Sequence, residues 1–224
     1  MRPADGEPPQ GGGAPTEAEE RRRVAAVLEA AAEGPETHDA VPEALCRACV
    51  RLLPGSGASV TLSGGPDVRS TWCASGPTAA RLAETQFTLG DGPGWTALER
   101  AAPVLAADLT DGPDVRRWPV FAYQAVELGV RAVFSLPLGV GDQALGTVDL
   151  FRDTPGPLDA AALRTALRVR DALTAPLLDL HARAFAEGRA LTQLAHDVTT
   201  RRLHLAPPRD EHCTEDDRPD DDTL

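Results

Sequence analysis

The alternation of apolar and polar positions predicts a β-hairpin in the second half of the chain. Residues 130–138 and 144–152 alternate with period two and carry apolar side chains on both faces. This pattern is typical of central strands that other elements cover, and the connector over 139–142 holds glycines suited to the positive φ of a short turn. A helix over 118–128 is predicted before the hairpin, and a long helix is predicted to begin near Asp159 after it.

Shorter apolar stretches predict the rest of the secondary structure. Helical spacing, period-two runs and Gly-Pro breaks mark these segments: helices over 17–33, 37–53 and 78–84, strands over 58–63, 68–74 and 104–106, and a glycine-rich loop over 87–95. Helices at both ends with antiparallel strands between them imply an α+β fold. We expect an antiparallel sheet of five to six strands, with the terminal helices on one face and the loops near 86–110 on the other.

Composition and charge limit the classes of function. The chain has 224 residues, which allows one ordinary domain plus appendages. Its net charge of −12 makes it a poor generic nucleic-acid binder, although residues 206–224 alone hold eight acidic and two basic residues, half of that net charge. No stretch reaches the ~18 apolar residues of a membrane span, and the first 20 residues lack the apolar core of a signal peptide. We therefore expect a cytoplasmic protein that does not enter a membrane.

The motifs of catalysis are missing from the sequence. No H-E-x-x-H, G-x-S-x-G or phosphate-loop pattern occurs, and the G-x-G-x-G run at 90–94 lacks a following lysine, so we interpret it as a flexible loop over a pocket. The three aspartates within 108–114 are not spaced to surround one ion, which favours a solvated loop. The sequence therefore predicts no catalytic residues, no metal ligands and no cofactor.

Three of the four cysteines fall in predicted elements. Cys46 and Cys49 are one turn apart in a predicted helix, with no second pair at zinc spacing. Two small residues on the packed face of the helix are the favoured interpretation, and a redox switch is the alternative. Cys73 lies on the second predicted strand, and Cys213 lies near the C-terminus.

Five short motifs occur in a characteristic order. They are QFxLGDGP at 86–93, VLxxDL at 104–109, RWPxFA at 117–122, GVRAVFxxPL at 129–138 and LGxxDLFR at 145–152. Together they resemble the GAF domain of actinobacterial regulators that pair it with an RNA-binding ANTAR module, and the resemblance runs from about residue 24 to residue 180. Gly94 stands where many relatives have a cysteine, which removes a candidate thiol from the pocket mouth.

The resemblance implies a sensory domain with a ligand pocket on the sheet face opposite the terminal helices. The candidate wall residues are Trp72, Phe87, Trp95, Leu105, Trp118, Phe121, Tyr123 and Phe134. The alternative is that most of them are simply core, because apolar residues around a pocket and inside a core look alike in one sequence. An enzyme similar to a GAF-like sulfoxide reductase needs reactive cysteines at the pocket, and only Cys73 is on a pocket-forming strand. We therefore expect a protein that is not an enzyme.

The segment over 177–205 is similar to the last part of an ANTAR module. It has an Ala-rich helix end, a Gly-Arg turn at 188–189 and a second amphipathic stretch, but the opening helices of the module are missing, so the module is truncated or degenerate. Pro176 is expected to kink or end the helix that leads into it. A solvated helical hairpin or dimerisation arm is the alternative. The candidate RNA-binding residues are Arg183, Arg189, Arg201 and Arg202.

These observations divide the chain into four parts: a disordered tail over 1–22, a GAF-like sensory domain over 23–176, a partial ANTAR-like segment over 177–205 and an acidic disordered tail over 206–224. The resemblance implies a cytoplasmic signalling and transcription regulator that senses a small molecule or a partner. Its output would be antitermination through an RNA hairpin, and it would form a homodimer or a heterodimer with a related regulator. The alternative is a protein-interaction or dimerisation module that has lost RNA binding.

Overall fold

The computed structural model describes residues 16–35, 40–65, 68–191 and 193. The elements in chain order are α1 Glu17–Glu33, α2 Val41–Leu52, β1 Gly57–Gly65, β2 Val68–Ala74, α3 Pro77–Leu89, α4 Pro93–Arg100, β3 Val104–Ala106, α5 Pro113–Arg117, α6 Pro119–Glu127, β4 Ala132–Val140, β5 Gln143–Arg152 and α7 Ala160–Ala186. The predicted tail over 206–224, and all but the end of the predicted tail over 1–22, lie outside these residues.

One antiparallel sheet of five strands, in the order β2-β1-β5-β4-β3, forms the centre of the fold. This confirms the predicted α+β class. The predicted hairpin is β4–β5, in which Ser135 lies directly opposite Asp149. Its turn is tighter than the predicted connector because β4 continues to Val140, and Gly141 supplies the positive φ of 63°.

The terminal helices α1, α2 and α7 cover one face of the sheet, which we call the helix side. Val24, Cys49, Phe134 and Leu173 are among the side chains buried together there. Helix α1 begins at Glu17 after a capping box formed by Thr16 and Glu19, so the last six residues of the predicted tail over 1–22 are helical. The carboxylate of Glu20 accepts hydrogen bonds from Thr165 and Arg168, which ties α1 to α7.

Helix α7 continues through Pro176, so this proline does not end the helix, which was one of the two expected outcomes. A proline inside a helix costs ~3 kcal/mol. Leu173, Leu177 and Leu180 are all buried against the helix-side core, and this burial holds the flanking turns in place. The predicted boundary at residue 176 therefore falls inside a helix. Leu191, just beyond α7, is 4% exposed and joins the same core.

Helices α3 to α6 cover the opposite face, which we call the loop side. Trp118, Phe121, Val133 and Phe151 are buried there together. The prediction of a glycine-rich loop over 87–95 is wrong, because α3 continues to Leu89 and α4 begins at Pro93. Only three residues link the two helices, and the first of them, Gly90, ends α3 in the left-handed conformation with φ 60°.

A disulfide between Cys46 and Cys73 joins α2 to β2 on the helix side. The prediction that Cys46 and Cys49 lie on the packed face of the helix is confirmed, since both are 0% exposed. Cys49 is free, whereas the bond from Cys46 to Cys73 was not predicted. None of the helices in the described part of the chain is long and apolar enough to cross a membrane.

Candidate functional site

A buried carboxylate lies at the middle of the loop-side face. Asp149 on β5 is 2% exposed, and its Oδ2 accepts a hydrogen bond from Gln86 Nε2 at 2.9 Å. Gln86 Oε1 in turn accepts a hydrogen bond from the backbone N–H of Gly94 at 2.7 Å. This chain of hydrogen bonds joins the sheet to the end of α3 and the beginning of α4.

The glycines before and within α4 allow this close approach. A Cβ at Gly94 would lie 2.7 Å from Oδ2 and 2.9 Å from Oδ1 of Asp149, and a Cβ at Gly92 would lie 2.7 Å from Gln86 Oε1. All three distances are shorter than the contacts that real Cβ atoms make. A cysteine at position 94, which the resemblance suggested as the common residue, has no room beside Asp149. The glycines therefore serve this contact rather than the flexibility of a loop.

The environment of Asp149 makes its charged form less favourable than in water. Burial raises its pKa to about 6, and the polar groups of Ser135, Gln86 and Thr147 oppose that rise. The Ser135 and Thr147 hydroxyls lie close enough to the carboxylate to lower its pKa, but their geometry leaves Asp149 Oδ1 and Ser135 Oγ without a hydrogen bond among the described residues. Buried polar atoms are nearly always satisfied in native proteins, and Asp149 lines a cavity, so its Oδ1 marks a place where a donor from outside the chain fits.

A small cavity of about 30 Å³ adjoins this carboxylate. This volume is enough for a water-sized group. The lining residues from the sheet and from α3 and α4 are Thr61, Arg69, Ala83, Gln86, Phe87, Gly94, Trp95, Leu98, Thr147 and Asp149. The site is thus polar at its base, and its rim combines apolar side chains with the guanidinium of Arg69.

The stacked side chains of Arg69 and Trp95 cover the cavity. The Arg69 guanidinium carbon lies 3.2 Å from the centre of the Trp95 ring, in a cation–π contact. Burial lowers the pKa of Arg69, and the nearby carboxylate of Glu99 opposes this. The two residues belong to different elements, β2 and α4, so this cover depends on the position of the edge strand.

Only two of the eight residues predicted to line a pocket do so. Phe87 and Trp95 line the cavity. The other six lie elsewhere: Trp118 and Phe121 are buried in the loop-side core, Leu105 and Tyr123 are exposed, and Trp72 and Phe134 pack on the helix side. Gln86 and Asp149 were not predicted to bind a ligand. Both lie within the motifs that carry the family resemblance, as the glutamine of QFxLGDGP and the aspartate of LGxxDLFR.

The other candidate clusters lie elsewhere. Arg183 is in α7, and Arg189, just after it, forms an ion pair with Glu187 at 3.4 Å. Arg201 and Arg202 lie outside the described residues. The aspartates over 108–114 stabilise turns. A carboxylate oxygen of Asp108, for example, accepts a hydrogen bond from the backbone N–H of Thr110 at 2.8 Å. No group of three metal-binding side chains is found in the part of the chain that the structure describes.

Comparisons with known proteins identify the family. A family model described as GAF domain matches residues 35–173. A domain of a two-component sensor histidine kinase protein from Sinorhizobium meliloti 1021 has a similar fold, with a TM-score of 0.53, 19% identity and coverage of 68% of this chain and 99% of that chain. The GAF domain of a phosphoenolpyruvate-protein phosphotransferase from Coxiella burnetii has a TM-score of 0.52 and 16% identity, with 77% of this chain and 99% of that chain covered.

A LuxR-family transcription factor from Burkholderia cenocepacia that depends on N-acylhomoserine lactone also has this fold, with a TM-score of 0.51, 22% identity and coverage of 71% of this chain and 95% of that chain. At these identities the likeness shows the fold alone. No curated protein sequence matches the chain. Because the family model covers well over half of its residues, the chain belongs to the GAF domain family, which is typical of sensory and signalling proteins.

Proposed function

We propose that this GAF domain senses a small molecule that donates a hydrogen bond to Asp149. The observation that carries the proposal is the buried Oδ1 of Asp149, which has no partner among the described residues and adjoins a cavity. A buried acceptor without a donor costs ~1–3 kcal/mol. A ligand that supplies the donor recovers this free energy on binding, and the recovery favours the bound form of the domain.

The charge of the site defines the class of ligand. An amine, amide or hydroxyl group in the cavity supplies a hydrogen-bond donor to Asp149 Oδ1, whereas a carboxylate places a second negative charge against Asp149. The cavity of about 30 Å³ holds only such a head group. A larger ligand body must displace the stacked Arg69 and Trp95, and this displacement is the proposed first step of the response.

A thermal-shift panel tests the ligand class. The purified full chain is mixed at neutral pH with small amines and amides and with carboxylates of the same carbon number. We expect the amines and amides to raise the melting temperature and the carboxylates to leave it unchanged. A panel in which no compound stabilises the protein, or in which carboxylates stabilise it equally, contradicts the proposal.

Two glycine substitutions make the panel specific to the site. Gly94→Ala places a Cβ against the Asp149 carboxylate and should abolish the stabilisation by amines and amides. Gly76→Ala is the matched control, because Gly76 has extended backbone with φ 170° and a Cβ there meets no atom within 4 Å. Equal stabilisation of both variants would place the binding elsewhere on the protein.

We further propose that the output is RNA binding by the C-terminal segment, in a cytoplasmic protein that dimerises through its terminal helices. The support is the ANTAR resemblance of 177–205 and the path of α7, which carries Arg183 and ends three residues before Arg189. Leu191 packs into the helix-side core, so the beginning of this segment is attached to the sensory domain.

RNA binding by the purified protein tests this output. The probe is a two-hairpin RNA, measured at about 50 mM and about 200 mM salt, because binding that depends only on phosphate contacts weakens steeply over this range. Specific binding that survives the higher salt supports the antitermination output. Its loss supports the second candidate, a protein-interaction module that dimerises with a related regulator.

A further inference from the structure

The edge strand β2 is held in the sheet less firmly than the strands at the centre. It pairs only with β1, since it stands first in the strand order. Within that pairing, Thr71 and Cys73 lie opposite the consecutive residues Thr61 and Val60, so Trp72 is an extra residue that bulges from the ladder. A second irregularity follows near Gly65. The ladder alone therefore constrains this strand weakly.

The Cys46–Cys73 disulfide supplies the missing constraint. It links β2 to α2 directly beside the bulge, across 27 residues of sequence. Helix α2 has its own anchors in the helix-side core, with Ala48 and Cys49 fully buried. Opening the disulfide therefore leaves α2 in place and releases the strand.

Both redox states are compatible with the packed core. Cys46 is 0% exposed and Cys73 is 6% exposed, and both belong to the apolar cluster on the helix side. A neutral thiol packs as a small apolar group, so two thiols occupy the same place without a buried charge. The reduced and oxidised proteins thus share one fold and differ in the tether on β2.

We propose that Cys46 and Cys73 form a reversible thiol–disulfide site that reacts with low-molecular-weight disulfides and dithiols and thereby sets the mobility of strand β2. In oxidation, opening of the bulged edge strand exposes Cys73, whose thiol loses its proton. The Cys73 thiolate attacks one sulfur of a small disulfide, and one small thiolate leaves. Cys46 sulfur, on losing its proton, then attacks the Cys73 sulfur, and the second small thiol leaves. The two protein thiols are oxidised and one small disulfide is reduced to two thiols, and a dithiol reverses the reaction.

The third cysteine of the described chain stays outside this exchange. Cys49 is fully buried on α2 and is not bonded to the edge strand, so opening of that strand does not expose it. Burial raises the pKa of Cys49 to about 12, which also keeps it protonated. It lies one turn from Cys46 on the same helix, which makes it a matched control for the loss of a buried sulfur. The strand that the exchange releases carries Arg69, which stacks over Trp95, so the redox state also acts on the cover of the Asp149 cavity.

Peptide mapping of the full chain tests the site, and it does not depend on a ligand. The protein is equilibrated in mixtures of reduced and oxidised glutathione, its free thiols are alkylated, and disulfide-linked peptides are identified by mass spectrometry. We expect the Cys46–Cys73 linkage to appear and disappear reversibly in one two-electron transition. A linkage that never forms in the folded protein, that resists excess dithiothreitol, or that joins other cysteines overturns the proposal.

Amide hydrogen exchange on the same samples tests the effect on β2. We expect residues 68–74 to exchange at least about tenfold faster in the reduced protein, with β4 and β5 unchanged. Cys46→Ala and Cys73→Ala should show the fast rate in every redox buffer, whereas Cys49→Ala should keep the redox response. Equal rates in oxidised and reduced wild-type protein overturn the proposal without any variant.

Discussion

Replacing Asp149 with asparagine should stabilise the protein at neutral pH. The substitution keeps the shape of the side chain, and its amide oxygen still accepts the hydrogen bond from Gln86 Nε2. Its amide N–H₂ supplies a donor next to Ser135 Oγ, which has no partner among the described residues. The variant therefore removes a buried titratable group without removing the contact that joins α3 to β5.

The size of the effect follows from the pKa of Asp149. An aspartate has a pKa of 3.8 in the unfolded chain and about 6 in this site, and each unit corresponds to 1.36 kcal/mol. Below both pKa values Asp149 is protonated in the folded and the unfolded chain, so its titration takes no stability from the folded protein. As the pH rises the unfolded chain loses the proton first, so the folded protein loses about 3 kcal/mol of stability by neutral pH. Roughly half of this loss is already present at about pH 5.

Urea unfolding followed by tryptophan fluorescence measures this difference. We expect Asp149→Asn to be about 3 kcal/mol more stable than wild type near pH 7 and a smaller amount, ~1–2 kcal/mol, near pH 5. The difference between the two proteins isolates Asp149 from the other carboxylates, including Glu19, Glu20 and Asp108, whose pKa values are lowered. A variant that is less stable than wild type, or a difference that does not grow with pH, would refute the reasoning.

Three further predictions concern other parts of the chain. Oxidised protein should be about 3–4 kcal/mol more stable than protein in which Cys46 and Cys73 are reduced, because the disulfide closes a loop across 27 residues; calorimetry in the two redox states checks this, and equal melting temperatures would contradict it. Phe121→Ala should lose ~3–5 kcal/mol in urea unfolding, whereas Tyr123→Ala on the same helix, where the side chain is 68% exposed, should lose less than about 0.5 kcal/mol. Deleting residues 206–224 should raise RNA affinity at low salt if this acidic segment shields the arginines, and unchanged affinity in a filter-binding assay would exclude that shielding.

The β4–β5 hairpin was predictable because its pattern of apolar residues fits only one type of secondary structure. Period-two alternation with apolar residues on both faces specifies a covered central strand. The register was not predictable from the turn, because an irregularity between Leu138 and Gly139 shifts it by one residue. The glycines at 90–94 were misread, because a glycine that ends a helix, one that admits a close contact and one that loosens a loop look the same in sequence. Only the positions of Gln86 and Asp149 in space distinguish the three uses.

The side of the sheet on which each aromatic residue packs was not predictable for a related reason. Both sides of the sheet have an apolar core, so the apolar residues around Phe134 and around Phe121 do not show which side each one packs on. The Cys46–Cys73 bond was missed because sequence spacing draws attention to Cys46 and Cys49, whereas bonding depends on how α2 approaches the edge strand. The site itself was hidden because a single aspartate in an apolar strand shows its burial only after folding.

The most direct test of ligand sensing at Asp149 is a calorimetric titration. The amine or amide that stabilises the protein most in the thermal-shift panel is titrated into wild type, Gly94→Ala and Gly76→Ala. The account predicts one binding event per chain in wild type and Gly76→Ala, with affinity that falls as the pH drops below about 6, and no binding to Gly94→Ala. Equal binding to Gly94→Ala, or affinity that is the same on both sides of that pH, would contradict it.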